Sequence, residues 1–159
     1  MTLPETPSAA AHLVVLDTNI VLDLWVFADP AADALRDAIT AAQLQWISTL
    51  SMRDELQRVL GYPQIAPRLA FHRRVADDVL AAFDAHARVH PPAPKADVTC
   101  KDPDDQKFID LAVAHGALLL SKDALVLAMR KRLRMRGADA QRHWPGASTA
   151  AHPMVTQAA

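Results

Sequence analysis

A chain of 159 residues, 51% hydrophobic and 22% charged, has the length and composition of one globular domain with a sizeable core. A formal net charge of −1 excludes a strongly basic or acidic protein, though not a local basic face for nucleic acid. The single cysteine, Cys100, excludes an intrachain disulfide and fits a reducing compartment. No stretch approaches the ~20 apolar residues of a membrane span. The opening residues, with Pro4, Glu5 and Pro7, lack the basic start of a secretory signal. The expected location is the cytoplasm.

Residues Met1 to His12 read as a loose arm. Leu13-Val14-Val15-Leu16 is a short apolar run, the pattern of a strand buried on both faces, and it runs straight into Asp17. A helix is expected from about Asn19, broken at Asp29-Pro30. A second follows from Pro30 to Ala42. Leu44 to Ser48 is a strand candidate, and Ser51 to Leu60 a helix closed by Gly61. Ile65 to Ala87 reads as a helical pair or one bent helix. His90 to Pro94 cannot be helical. A loop follows, with a possible strand at Val98-Thr99-Cys100. Asp102-Pro103 opens a helix to His115 that stops at Gly116. Ala117 to Leu120 is a second buried strand, ending at Ser121-Lys122-Asp123, followed by a helix from Ala124 to about Arg132 that Asp123 could cap. Alternating strands and helices predict a three-layer α/β/α sandwich around a central, mostly parallel sheet. The expected organisation is an arm over 1–12, one domain over 13–140 and a disordered tail over 141–159.

Helix rotation sorts the acids. In the Ser51–Leu60 helix the apolar stripe is Met52, Leu56, Val59 and Leu60; Asp54 lies opposite it and Glu55 on its flank. Glu55 either lines a cleft or pairs with Arg53 or Arg58. After Pro103 the stripe is Phe108, Ile109, Leu111 and Ala112, so Asp110 points to solvent. Asp104 and Asp105 both lie near the stripe, and rotation does not choose between them. Asp102 fits a helix N-cap. Asp123 follows the second buried strand as Asp17 follows the first, and ligands of open parallel sheets bind beyond strand ends.

Several carboxylates in one cleft stay ionised only if cations compensate, and oxygen-only ligands suit Mg²⁺ or Mn²⁺. Two such ions about 3.5–4 Å apart can promote in-line attack of water on a phosphodiester. Phosphodiester hydrolysis is the natural chemistry of an acid-only site.

Asp17-Thr18-Asn19 after a hydrophobic strand, Glu55 in a Ser-x-x-x-Glu-Leu helix, Asp102-Pro103-Asp104-Asp105 before Phe108, and Ser121-x-Asp123 after a strand together resemble a PIN domain. The closest pattern is the bacterial subgroup of toxin components of toxin–antitoxin systems, and the resemblance runs from about Leu13 to Arg136. It implies a metal-dependent endoribonuclease with an RNA substrate and Mg²⁺ or Mn²⁺ as cofactor. It also implies an antitoxin protein partner and a homodimer or higher homo-oligomer. By the resemblance Asp17, Glu55, Asp105 and Asp123 form the acidic quartet that holds metal, and Asn19 and Ser121 orient the acids or water. Lys122 stands where the subgroup usually carries glycine.

The run Arg130-Lys131-Arg132-Leu133-Arg134-Met135-Arg136 can supply phosphate contacts, or be a solvated helix end. Trp25 to Phe27 and the Arg68–Ala87 helices are candidates for a dimer interface or antitoxin groove. Two alternatives stand beside the nuclease: a non-catalytic PIN-like module binding RNA or protein, and an aspartate-dependent phosphatase, against which Asn19 replaces the second acid of Asp-x-Asp. His86, His90 and Cys100 are too few for a zinc site across Pro91-Pro92.

Overall fold

The computed structural model describes residues 12–27 and 29–146. The apolar runs form the predicted central strands: β1 (His12–Leu16), β2 (Leu44–Ser48) and β4 (Leu118–Leu120). Two further three-residue strands, β3 (Ala87–Val89) and β5 (Asp139–Gln141), close the edges. The sheet order is β3-β2-β1-β4-β5 and all four pairings are parallel. Val14 of β1 stands opposite Trp46 on one side and Leu118 on the other. The chain builds outward from β1 to β2 and β3, then crosses back to β4 and β5. The order therefore reverses beside β1, where parallel sheets open a crevice at the carboxyl ends of their strands.

The helices are α1 (Thr18–Trp25), α2 (Asp33–Thr40), α3 (Leu50–Leu60), α4 (Ala66–Phe71), α5 (Ala76–His86), α6 (Gln106–His115), α7 (Ala124–Leu127) and α8 (Arg130–Arg134). The three-layer expectation holds. Alternation along the central strands splits the interior in two. Val14, Leu16, Trp46 and Leu120 pack with α1 to α5 on one face, while Val15, Ile47 and Leu119 pack with α6 to α8 on the other. Trp46 is 1% exposed, stacks on Trp25 at 5.3 Å between centroids and meets Phe83 edge-on at 5.1 Å.

Several boundaries differ from expectation. The region 65–87 is the helical pair of the two expected forms, α4 and α5, but Ala87 already lies in a strand. The region 124–132 is broken between α7 and α8. Pro30–Ala32 and Pro103–Asp105 are 3₁₀ turns ahead of their helices. No strand forms at Val98–Cys100. Instead Gln106 Nε2 donates to the Val98 carbonyl at 3.0 Å, and Gln106 Oε1 accepts from Cys100 N at 2.7 Å. Asp110 is not solvated as expected: it accepts from Ala96 N at 2.9 Å and Gln106 Nε2 at 2.8 Å, pinning this loop to α6. Trp25 and Val26 are buried in the core, so neither offers an interface. The expected arm and tail fall largely outside the described residues, although His12 opens β1 and Gln141 closes β5.

Helix α6 ends on Gly116 in the left-handed region, φ +61, the conformation that lets the chain turn back into β4. A Cβ there would lie 3.4 Å from the Gly137 carbonyl oxygen. Gly116→Ala is expected to lower stability by about 1–2 kcal/mol, or roughly 3–7 °C in melting temperature. A thermal melt of the variant checks this.

Candidate active site

Asp17 leaves the central strand at the point of reversal. Its amide donates to the Leu120 carbonyl at 3.0 Å, and its own carbonyl starts α1. Its side chain makes no helix-capping bond, so the carboxylate is left for the crevice. Asp17 is 7% exposed, and Ser121, wholly buried at the end of β4, donates from Oγ to Asp17 Oδ2 at 2.7 Å. The same Oγ accepts from the Asp123 amide at 3.0 Å. Ser121 thus fixes one acid and the backbone of another. Burial pushes the Asp17 carboxyl above its ordinary range. The Ser121 and Thr18 hydrogen bonds oppose that, and the nearby charges of Glu55 and Asp123 add to it.

The second group comes from the opposite face of the sheet. Asp102 precedes the 3₁₀ turn and accepts from the Asp104 amide at 3.0 Å, the capping role expected of it. Asp123 caps α7 through the Leu125 amide at 2.8 Å. Capping does not exhaust either residue. Asp102, Asp105 and Asp123 each bring one carboxylate oxygen within 4.8 Å of the others. The turn chooses between the two acids that rotation left open: Asp105 is 9% exposed and faces the cluster, whereas Asp104 is exposed. Asp105 and Asp123 share a hydrogen bond. Burial first, then that bond and the charges of Asp17, Asp123 and Asp102, push the Asp105 carboxyl up to about 7. Asp105 Oδ2 is buried with no hydrogen-bond partner among the described residues.

Glu55 sits on α3 at the other side of the crevice. It accepts from Thr18 Oγ1 at 2.6 Å, and its Oε1 is 2.5 Å from Lys107 Nζ on α6. Neither expected arginine pairs with it; Arg53 binds Asp84 instead, at 2.8 Å. Asn19 is exposed on the first turn of α1 and makes no side-chain hydrogen bond among the described residues. Lys122 turns away from the acids to pair with buried Asp23 at 2.7 Å. In the basic run, Arg130 and Arg134 pair with Asp139, and Arg136 with Asp97.

Thr18, Asp102 and Lys107 were not singled out as site residues by pattern alone. Thr18 lay within the Asp-Thr-Asn motif, and Asp102 carried a sufficient structural explanation as a cap. Lys107 reaches Glu55 across the fold, a contact no local spacing encodes. An all-oxygen donor set with one orphaned buried oxygen fits a hard divalent cation, which Asp102, Asp105 and Asp123 can hold. Among the described residues no helix is long and apolar enough to cross a membrane.

No curated protein and no solved structure matches the chain. The PIN domain family model matches it over residues 13–124, which takes in β1 through the start of α7 and every acid of the crevice. PIN domains are generally nucleases that bind nucleic acid and typically use a divalent metal. With that match over more than half its length, the parallel five-stranded sheet and the acids gathered at its point of reversal, the chain belongs to the PIN domain family.

Proposed function

We propose that residues 13–140 form an endoribonuclease that requires Mg²⁺ or Mn²⁺ and hydrolyses RNA phosphodiester bonds in the cytoplasm. In this reading it is the toxin of a toxin–antitoxin pair, works as a homo-oligomer and is restrained by an antitoxin protein. The observation that carries the reading is Asp105: a buried carboxylate oxygen without a hydrogen-bond partner among the described residues, set beside Asp102 and Asp123, whose combined charge a divalent cation would neutralise. Asp102, Asp105 and Asp123 would hold the cation, with Asp17 adding its charge. When bound, the cation supplies charge neutralisation and an activated water.

The chain's own residues do the positioning. Ser121 holds Asp17 Oδ2 and the Asp123 amide in one register. Gln106 and Asp110 anchor the loop that delivers Asp102. Thr18 and Lys107 grip both oxygens of Glu55, which leaves that acid to orient what enters rather than to bind a free ion. Ser121 Oγ is taken up between Asp17 and the Asp123 amide, which favours attack by water.

The test is cleavage of a pool of single-stranded and structured RNA by purified protein with Mn²⁺, with Mg²⁺ and with EDTA, beside Asp17→Asn. Cutting with either metal, none in EDTA, and a loss of at least about 100-fold in a folded Asp17→Asn variant are expected. A folded, metal-loaded protein that cuts none of the pool, or an Asp17→Asn variant that cuts at the parent's rate, overturns the reading.

A further inference from the structure

Beside the acids, on the α1 side, lies a cavity of about 350 Å³ that the catalytic reading does not use. It is walled by α1 (Ile20, Asp23), the Pro30–Ala32 turn and Asp29 before it, Lys122, and the segment Arg142-His143-Trp144 after β5. Lys122 is the chain neighbour of both Ser121 and Asp123, so the cavity adjoins the crevice. Its volume is that of a small-molecule site. Its charge is balanced, with Asp23 and Asp29 against Lys122 and Arg142, which suits neither a bare polyanion nor a free cation.

Four features specify an occupant. The Trp144 indole is half-buried and packs against the core, and Gly146 lies so close to it that a Cβ there would fall 2.3 Å from a ring atom. Arg142 and His143 are exposed, with no hydrogen-bond or ion-pair partner among the described residues. Lys122 takes only Oδ2 of Asp23, leaving Oδ1 as an acceptor. Asp29 Oδ1 accepts from Ala31 N at 3.0 Å, leaving Oδ2 as a second. An aromatic face, carboxylate acceptors and an unpaired guanidinium are the complement of a nucleotide: a stacked base with N–H donors, and a phosphate.

We propose that this cavity is a subsite for the nucleotide flanking the bond that is cut. The base stacks on Trp144, an exocyclic amino group donates to Asp23 or Asp29, and the phosphate meets Arg142. Adenine, cytosine and guanine carry that amino group; uracil does not. Arg142 and Trp144, which supply the phosphate contact and the stacking face, lie beyond residues 13–124, whereas Asp23 and Asp29, which read the amino group, lie within them. The proposal rests on the nuclease reading for its role in cleavage, but the binding it describes needs no metal.

The experiment is titration calorimetry with the 5′-monophosphates of adenosine, guanosine, cytidine and uridine, in EDTA. It uses the full chain, Trp144→Ala, Arg142→Ala and, as a control on the exposed face of α3, Asp54→Asn, each checked for folding by circular dichroism. At least one amino-bearing nucleotide should bind, and more tightly than uridine monophosphate. Trp144→Ala and Arg142→Ala should each weaken it by roughly fivefold or more, and Asp54→Asn should leave it unchanged. If Trp144→Ala does not fold, Trp144→Phe, which keeps a stacking face, should bind within about threefold of the parent. Absence of binding by all four nucleotides, indifference to Arg142→Ala, or uridine monophosphate binding as tightly as the others overturns the subsite. Nucleotide binding by a protein that cuts no RNA sinks the nuclease reading alone, and RNA cleavage without nucleotide binding sinks the subsite alone.

Discussion

Asp105→Asn is expected to raise the melting temperature of the metal-free protein while removing its cleavage activity. The Asp105 carboxyl sits at about 7 in the folded chain against an ordinary 3.8. The folded state therefore holds this proton more tightly than the unfolded state does. Stability from this group is complete below the ordinary value and is lost as pH rises through 7. Above that, ionised Asp105 faces Asp17, Asp102 and Asp123 with one oxygen buried and unpartnered. Asparagine cannot ionise, so the variant escapes the loss. A gain of about 1–3 kcal/mol at pH 8, or roughly 3–10 °C, is expected in EDTA, with little difference at pH 4. Saturating Mg²⁺ or Mn²⁺ should reverse the ranking, because a ligand that binds only the folded wild type stabilises it by mass action. Thermal melts at the two pH values, with and without metal, give the answer. A variant that melts below the parent at pH 8 in EDTA contradicts this account of the cluster.

Trp46→Ala is expected to remove about 3–5 kcal/mol, a large part of the 5–15 kcal/mol that holds a domain of this kind together. Trp46 is 1% exposed on β2 and links the sheet to Trp25 of α1 and Phe83 of α5. Truncation leaves a cavity that three elements border, and rigid neighbours cannot fill it. Trp46→Phe should cost much less, for two reasons. It keeps most of the apolar contact, and it deletes an indole Nε1 that is buried with no partner among the described residues. Urea titrations compare the two. Equal midpoints for the alanine and phenylalanine variants would contradict the argument.

The parts of the fold that were legible share one physical trait: they bury enough apolar surface to leave a pattern. β1, β2 and β4 are runs of Val, Leu, Ile and Trp, and their bounds came within a residue of expectation. The edge strands left no such mark. Ala87-Arg88-Val89 and Asp139-Ala140-Gln141 each pair on one side only and need no continuous apolar face. At the site, the placement of Asp17 and Asp123 after buried strands was readable. Asp104 and Asp105 are not separable by α-helical rotation, because Pro103–Asp105 is a tighter 3₁₀ turn. Helical rotation also places Asp110 in solvent, because its partner Ala96 N comes from a loop that carries no periodic signal. The Lys122–Asp23 pair and the cavity over it depend on the Arg142–Trp144 segment, which lies beyond the last strand and shows no pattern of its own.

The division of the interior by the sheet reaches into how this protein can change over time. Glu55 is carried by the layer that packs on Trp46, and Asp102, Asp105 and Asp123 by the layer that packs on Phe108. Only Asp17 and Ser121 belong to the partition itself. The two walls are nevertheless tied together: the Glu55–Lys107 ion pair spans them, and Met52 of the Glu55 helix packs in the Phe108 layer. Substitutions in one wall therefore share partners with the other, and their effects should not simply add. The partition couples them further: a shift of one residue in β1 would turn Asp17 away from both walls at once.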